Sequence, residues 1–143
     1  MRLSTKSRYG TRAILEIAKS YGQKPIKRKE IVSGQKIPDS YLENILITLK
    51  AAGFIQTLRG ATGGYQLTRN PKLITILEIA NALEGHMTPA PCIDTGSCDL
   101  IQECATRSVW SEMYQAMEKV LRSYTLQDIL EREKSPEVID FNI

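Results

Sequence analysis

The sequence predicts a mainly α-helical fold with one small β-hairpin. Several segments place apolar residues three and four positions apart, as one face of a helix requires. One glycine-rich turn separates two short stretches of β-branched, aromatic and aliphatic residues, which is typical of a hairpin. With 143 residues, of which 42% are hydrophobic, the chain is long enough for one domain, or for one small domain with an appendage.

The first three predicted helices form a helix-turn-helix pattern. The first covers about 5–21, the second about 27–34, and the third opens at Pro38 and ends before Gly53. Only a few residues join the last two helices, and the earlier of these is short. Two helices connected in this way are typical of a helix-turn-helix.

A hairpin follows directly after the third helix. Its strands are predicted at 54–58 and 65–68, on either side of the glycine-rich turn 59–64. A hairpin that directly follows a helix-turn-helix is called a wing. The N-terminal half is therefore predicted to be a winged helix-turn-helix.

The C-terminal half is again helical, except for one segment. A capping box that begins at Thr75 opens a helix over about 75–84. Residues 86–104 have little periodicity. A long helix is predicted at about 105–123 and a short one at about 125–134.

The charge is distributed unevenly between the two halves. Residues 1–72 hold 14 Lys and Arg against 4 Asp and Glu, whereas residues 73–143 hold 5 against 12. A half-chain with a formal charge of +10 suits a polyanionic partner, most commonly nucleic acid. The charge alone is equally consistent with a basic surface that is solvated and binds no partner.

We expect three regions along the chain. Residues 1–74 form the winged helix-turn-helix DNA-binding region. Residues 75–134 form an effector region with a dimerisation helix, and 135–143 form a flexible tail. This division assigns recognition to the basic half and its control to the other half.

The third helix is the candidate reader of the DNA major groove, where base edges differ in their donors and acceptors. Its N-terminal residues enter first, and Ser40, Glu43 and Asn44 are polar there. DNA phosphates repel the carboxylate of Glu43 unless it accepts a hydrogen bond from a cytosine amino group. Glu43 would therefore add more to discrimination between DNA sequences than to the overall affinity for DNA. The alternative is an ordinary solvent-exposed glutamate.

The wing and several cations complete the candidate DNA surface. Arg59 at the hairpin tip suits a narrow minor groove, whose negative potential attracts arginine. Gly60 and Gly63 let the backbone approach phosphates, and simple turn geometry explains them equally well. Further candidates for phosphate contacts are Lys6, Arg8, Arg12, Lys27, Arg28, Lys29 and Lys50, of which about half are expected to touch DNA.

Three cysteines at regular spacing, Cys92, Cys98 and Cys104, lie in the segment of low periodicity. Thiolates are soft ligands that select zinc, copper(I) or iron–sulfur clusters, so the spacing predicts a metal or cluster site. Unrelated buried cysteines are the weaker alternative. The candidates for a fourth ligand are His86, Asp94, Asp99 and Glu103.

The long helix carries more large apolar side chains than a small domain needs on its own side. Two copies of this helix could pack together in a homodimer, and two-fold symmetry suits a palindromic operator. The alternative is an intramolecular core. The stripe consists of Val109, Trp110, Met113, Met117, Val120 and Leu121.

These motifs resemble a known family. The matching segments are Met1-Arg2-Leu3-Ser4-Thr5-Lys6, Ser40-Tyr41-Leu42-Glu43, Arg59-Gly60-x-x-Gly63-Gly64-Tyr65 and the three cysteines. Together they resemble the IscR/NsrR/CymR family of bacterial winged-helix transcription regulators over about residues 1–134, and IscR-type members most.

The resemblance implies a homodimeric repressor or activator with an iron–sulfur cluster, 2Fe–2S or alternatively 4Fe–4S, on the three cysteines. It also implies base reading by Ser40 and Glu43 and minor-groove insertion of Arg59. The chain departs from the family at the fourth ligand. IscR-type members have a histidine where this chain has Arg107, and NsrR-type members have an acidic residue where it has Arg8; arginine cannot ligate.

The expected function is a sequence-specific DNA-binding transcription regulator controlled by an iron–sulfur cluster. The alternative is control by cysteine oxidation or by a protein partner, without a cluster. We expect no enzyme, because no catalytic constellation stands out. The sequence lacks a transmembrane segment or signal peptide, so we expect no membrane partner and a cytoplasmic location.

Overall fold

A computed structural model describes residues 3–135 and has the predicted fold class, mainly helical with a two-stranded antiparallel hairpin. A short 3-10 turn at Pro71–Leu73 follows the hairpin. The predicted flexible tail lies outside the described residues from 136 onwards. The elements are α1 (Thr5–Lys19), α2 (Arg28–Gln35), α3 (Asp39–Ala51), β1 (Ile55–Leu58), β2 (Gly64–Leu67), α4 (Ile76–Glu84), α5 (Pro91–Asp94), α6 (Arg107–Ser123) and α7 (Leu126–Lys134).

Local capping interactions fix where several helices begin. The Ser4 side chain accepts from the Ser7 amide at 3.1 Å and opens α1. Thr75 opens α4 through a capping box with Glu78, as predicted. At its other end α1 stops two residues earlier than expected, because Ser20 is the C-cap; Tyr21 follows the cap and is exposed.

One hydrophobic core joins the two halves of the chain. The buried face of α1, which includes Ile14 and Ile17, contacts α2, α3, α4 and α7. A Cβ on Gly10 would lie 2.5 Å from a methyl of Leu83, so glycine allows α1 and α4 to pack closely. Because α7 contacts α1 and Leu126 belongs to the same core, the core continues past the domain boundary expected at residue 74. The boundary itself stays a prediction.

The segment 86–104 contains a short helix that the sequence pattern did not reveal. Pro91 occupies the first turn of α5, where its fixed φ suits a helix start and its missing amide is not needed. The Thr95 amide donates to the Pro91 carbonyl at 3.0 Å and ends the turn. Four residues are too few to produce a helical period, which is why the expectation of an irregular segment was incomplete.

The long helix α6 has no buried residue among its 17, a property that it shares only with the four-residue α5 among the described helices. It packs on α4 and α5 with one side and leaves much of its apolar stripe exposed. Within residues 3–135, no helix is long and apolar enough to cross a membrane.

The wing is attached to the rest of the domain by backbone contacts with the segment before α2. Its register pairs Ile55 with Leu67. The Tyr65 amide donates to the Ile26 carbonyl at 2.8 Å, and the Ile26 amide donates back at 3.0 Å. A Cβ on Gly64 would lie 2.5 Å from the Ile26 carbonyl oxygen, so this close approach requires glycine.

Replacing Gly64 by alanine should lower the free energy of unfolding by about 1–3 kcal/mol, the usual cost of overpacking. The entropic benefit of losing a glycine is smaller, about 0.4–1 kcal/mol. Equilibrium urea unfolding measures the change. Thr62→Ala, in the exposed turn of the same hairpin, is the matched control and should stay within about 0.5 kcal/mol of the parent. Equal stability of Gly64→Ala and the parent would contradict the tight packing on Ile26.

Candidate nucleic-acid interface and cysteine loop

The exposed face of α3 carries the predicted base readers. The helix turns Leu42, Leu46 and Leu49 into the core. The opposite face exposes Ser40, Glu43 and Asn44, together with Ile47. The structure therefore brings the three predicted readers onto one surface; that they contact bases stays a prediction.

Arg28 at the start of α2 faces two carboxylates in the first half of α3. Its Nη2 lies 2.9 Å from Oδ2 of Asp39, and its Nη1 lies 3.7 Å from Oε1 of Glu43. These groups are substantially exposed, so the ion pairs add only about 0–1 kcal/mol to stability. Their effect is to hold the Glu43 carboxylate beside a positive charge at the edge of the surface formed by α3.

The wing tip presents Arg59 and Gly60 to solvent. Gly60 has a φ of +106°, a conformation that favours glycine. The Gly63 amide donates to the Gly60 carbonyl at 3.0 Å and closes the turn. Arg59 is exposed, which leaves its guanidinium accessible to an outside partner.

The predicted phosphate contacts differ in their surroundings. Lys29 and Lys50 are exposed, while Lys6 is half-buried. Arg8 is exposed and donates to the Thr5 hydroxyl at 3.2 Å. Arg12 is engaged by the Gln35 side chain at 3.1 Å and by the Gln35 carbonyl. Arg12 therefore links α1 to the end of α2, which is a structural role that sequence analysis did not anticipate.

The three cysteines lie along the segment between α4 and α6. Cys92 is on α5 and half-buried, Cys98 is exposed, and Cys104 is half-buried just before α6. No three His, Cys, Asp or Glu side chains between residues 3 and 135 form a group that could hold a metal ion. The thiols have the chemistry that iron requires, but a shared site needs a different arrangement of this loop.

Two of the candidate fourth ligands interact with each other. Nε2 of His86 lies 3.2 Å from Oδ1 of Asp94, which connects the end of α4 to α5. The His86 ring also meets the ring of Tyr114 on α6 edge to face, with centroids 6.3 Å apart. Asp99 and Glu103 are exposed. The pair of His86 with Asp94 therefore holds the first part of the loop against α6.

Cys104 has the most distinctive surroundings of the three thiols. Its Sγ lies 3.3 Å from the Thr106 hydroxyl. This hydrogen bond, with further contributions from the backbone of Arg107, lowers the pKa of Cys104 below its ordinary value. Arg107, the first residue of α6, has a buried Nε without a hydrogen-bond partner among the described residues.

The predicted dimerisation stripe on α6 is only partly covered by the chain itself. Val109, Trp110, Met113 and Val120 have 38–56% of their surface exposed. Met117 and Leu121 are half-buried and line a cavity of about 320 Å³ with Leu3 and residues at the end of α4. Packing within the chain therefore accounts for Met117 and Leu121, two of the six residues of the predicted dimerisation stripe.

A family model described as "Rrf2: Iron-dependent Transcriptional regulator" matches residues 3–132. The chain belongs to the Rrf2 family. This result confirms the resemblance found in the sequence, because regulators named IscR and CymR are also among the relatives. It supports a transcriptional regulator rather than an enzyme at the level of the family.

Several individual proteins are similar over nearly the whole Rrf2-family chain. Protein rrf2 of Nitratidesulfovibrio vulgaris is 37% identical over 131 residues, which are 91% of this chain and 87% of the relative. The structure of T. potens IscR has a TM-score of 0.80 at 33% identity and covers 96% of this chain and 91% of its own. The structure of CymR, described as the global cysteine regulator of B. subtilis, has a TM-score of 0.80 at 34% identity, with coverages of 92% and 97%.

Sequence analysis missed two features of the candidate DNA surface. The pairing of Arg28 with Glu43 is a tertiary contact without a local signal. Ile47 had a signal, because it falls outside the buried stripe of α3 and follows Asn44 by three positions. The signal is an isoleucine on the otherwise polar face of a predicted recognition helix.

Proposed function

We propose that this Rrf2-family chain is a sequence-specific DNA-binding regulator that reads the major groove with α3 and the minor groove with Arg59. The observation that carries the proposal is the exposed polar face formed by Ser40, Glu43 and Asn44 within a strongly basic half-chain. The basic residues supply affinity for phosphates, whereas the face of α3 supplies the contacts to bases.

Glu43 is the proposed source of discrimination. On DNA its carboxylate accepts from a cytosine amino group, the main donor that suits an acid in the major groove. In the free protein the same carboxylate lies 3.7 Å from Arg28. Arg28 thereby offsets the cost of bringing a negative charge to DNA and remains close enough to the groove edge to meet a phosphate.

The proposed assembly is a homodimer joined through α6. An exposed apolar row of this length on a helix marks an interaction surface. The row includes Val109 near the start of α6 and Val120 near its end, so it runs along most of the helix. A two-fold axis between two copies of α6 would place the two winged helix-turn-helix regions of the dimer on the two halves of a palindromic operator.

For the cysteine loop we propose an iron–sulfur cluster held by Cys92, Cys98 and Cys104. Its support is the presence of three thiols in one loop, the family's description as iron-dependent, and the similarity to T. potens IscR. A 2Fe–2S cluster is proposed, with 4Fe–4S as the alternative. Such a group makes the loop responsive to iron supply, oxygen or nitric oxide. The candidates for the fourth ligand are His86, Asp94, Asp99 and Glu103, because the arginines Arg8 and Arg107 stand where other family members have their ligand.

The loop has a direct route to the DNA-reading helix. It connects α4 to α6, and α4 contacts both α1 and α3. Rearrangement of the thiols into one site would therefore act on α4 and, through the shared core, on α3. A coupling free energy of about 1–3 kcal/mol is enough to change affinity several-fold or more.

The second candidate is control by thiol oxidation or by a protein partner, without a cluster. It is favoured by the exposed thiol of Cys98 and by the likeness to CymR, whose title names it a cysteine regulator. In both versions the three free thiols suit a reducing compartment, so the cytoplasm is the proposed location.

Glu43→Ala should relax discrimination at one base pair of each half-site by about 10- to 100-fold, because the contact to cytosine is lost while a phosphate-repelling charge is removed. Selection from randomised duplexes followed by anisotropy titration measures it. Glu131→Ala, an exposed carboxylate on α7, is the control and should select the parent sequence. An unchanged preference of Glu43→Ala at every position would remove Glu43 from the proposal.

Met113→Glu, in the middle of the exposed stripe, should shift the protein from dimer to monomer. A carboxylate buried without a partner in the interface costs several kcal/mol, which is of the order of the free energy that the dimer gains by burying the apolar stripe. Sedimentation velocity measures the assembly and far-ultraviolet circular dichroism checks that helices persist. Gln115→Glu adds the same charge off the stripe and should remain dimeric. If Met113→Glu dimerises as tightly as the parent, the interface lies elsewhere.

Protein purified without oxygen should contain iron and sulfide in equal amounts and absorb visible light, and Cys92→Ala should lose most of both. Ser97→Ala, in the same exposed loop, is the control that should keep them. A colourless protein with stoichiometric zinc would rule out the cluster. A metal-free protein whose DNA affinity changes on thiol oxidation would favour the second candidate instead.

A further inference from the structure

Ile47 is a large apolar residue placed on the otherwise polar face of α3. It is 61% exposed, and it takes no part in the hydrophobic core formed by Leu42, Ile45 and other residues of the same helix. The fold therefore does not need an isoleucine at this position, and water is a poor environment for one.

The position of Ile47 places it in line with the proposed base readers. It follows Glu43 by four residues and Asn44 by three, so the three side chains are neighbours on one side of α3. The rise of an α-helix puts Ile47 about 6 Å further along the axis than Glu43. A helix that brings Glu43 to a base edge therefore brings Ile47 to the same groove.

The major groove offers one apolar group on its base edges, the C5-methyl of thymine. Arginine, lysine and the amides meet the other groups, whereas an aliphatic side chain matches only this one. We propose that Ile47 contacts a thymine C5-methyl and so specifies a T·A pair close to the pair that Glu43 reads. The proposal rests on the placement of α3 in the major groove.

The test uses the full chain and DNA that differs by one methyl group. The operator is first selected from randomised duplexes, and each thymine is then replaced in turn by uracil, which removes the C5-methyl and leaves the pairing unchanged. At one position of each half-site the parent should bind the uracil duplex about three- to five-fold more weakly, as expected for one apolar group returned to water. Ile47→Ala should bind the two duplexes equally well there.

The matched control is Leu73→Ala. Leu73 is 64% exposed but belongs to the 3-10 turn after the wing, so its variant should keep the parent's sensitivity to uracil. Thermal unfolding verifies that both variants fold, which the exposure of the two residues leads us to expect.

Two results would overturn the inference while leaving DNA recognition intact. One is a parent that is insensitive to uracil at every position. The other is an Ile47→Ala variant that keeps the full difference between thymine and uracil, or that loses the same affinity on both duplexes. If the parent selects no sequence at all, the proposed function fails, and the role of Ile47 fails with it.

Discussion

The close packing of α1 against helices from both ends of the chain is the contact on which the rest of the molecule depends. Gly10 admits the side chain of Leu83 from α4, and Ile14 and Ile17 are fully buried between α1 and its neighbours. A core of this density has few alternative arrangements. As a consequence, α3, the proposed DNA-reading helix, belongs to one packed unit with α4 and α7, and none of them can move far without disturbing the others.

In the proposed regulation, this arrangement lets the cysteine loop act on α3 without making the fold depend on the loop. The loop is held mainly by exposed contacts, such as the pair of His86 with Asp94, and such contacts are inexpensive to break. Its ends, however, are continuous with α4 and α6, and α4 touches α3. A loop that rearranges easily beside the firmly packed helix α4 is a suitable place for the proposed signal, because little free energy is spent on unfolding the loop.

The sequence predicted best what is local. The cap at Thr75 and the helical stripes of α1 and α3 follow from residues within one or two turns, so the local pattern determines them. Contacts made between elements gave no such signal: the approach of Gly64 to Ile26 and the pairing of Arg28 with its carboxylates exist only once the chain is folded. The spacing of the thiols predicted their chemistry, but spacing contains no information on how the loop is bent, so their separate placement could not be foreseen.

The proposed DNA surface divides affinity from specificity between different residues. Lysine and arginine attract any duplex and lose strength as salt screens them. Glu43 and Ile47 have the opposite character, since a carboxylate is repelled by phosphates and an isoleucine gains nothing from them. Each contributes only where one particular base group is present, so each penalises the wrong sequence more than it rewards the right one. An acid and an aliphatic residue on the exposed face of a helix in a basic half-chain are difficult to explain as a surface for general attachment to DNA, and they are what a surface for discrimination requires.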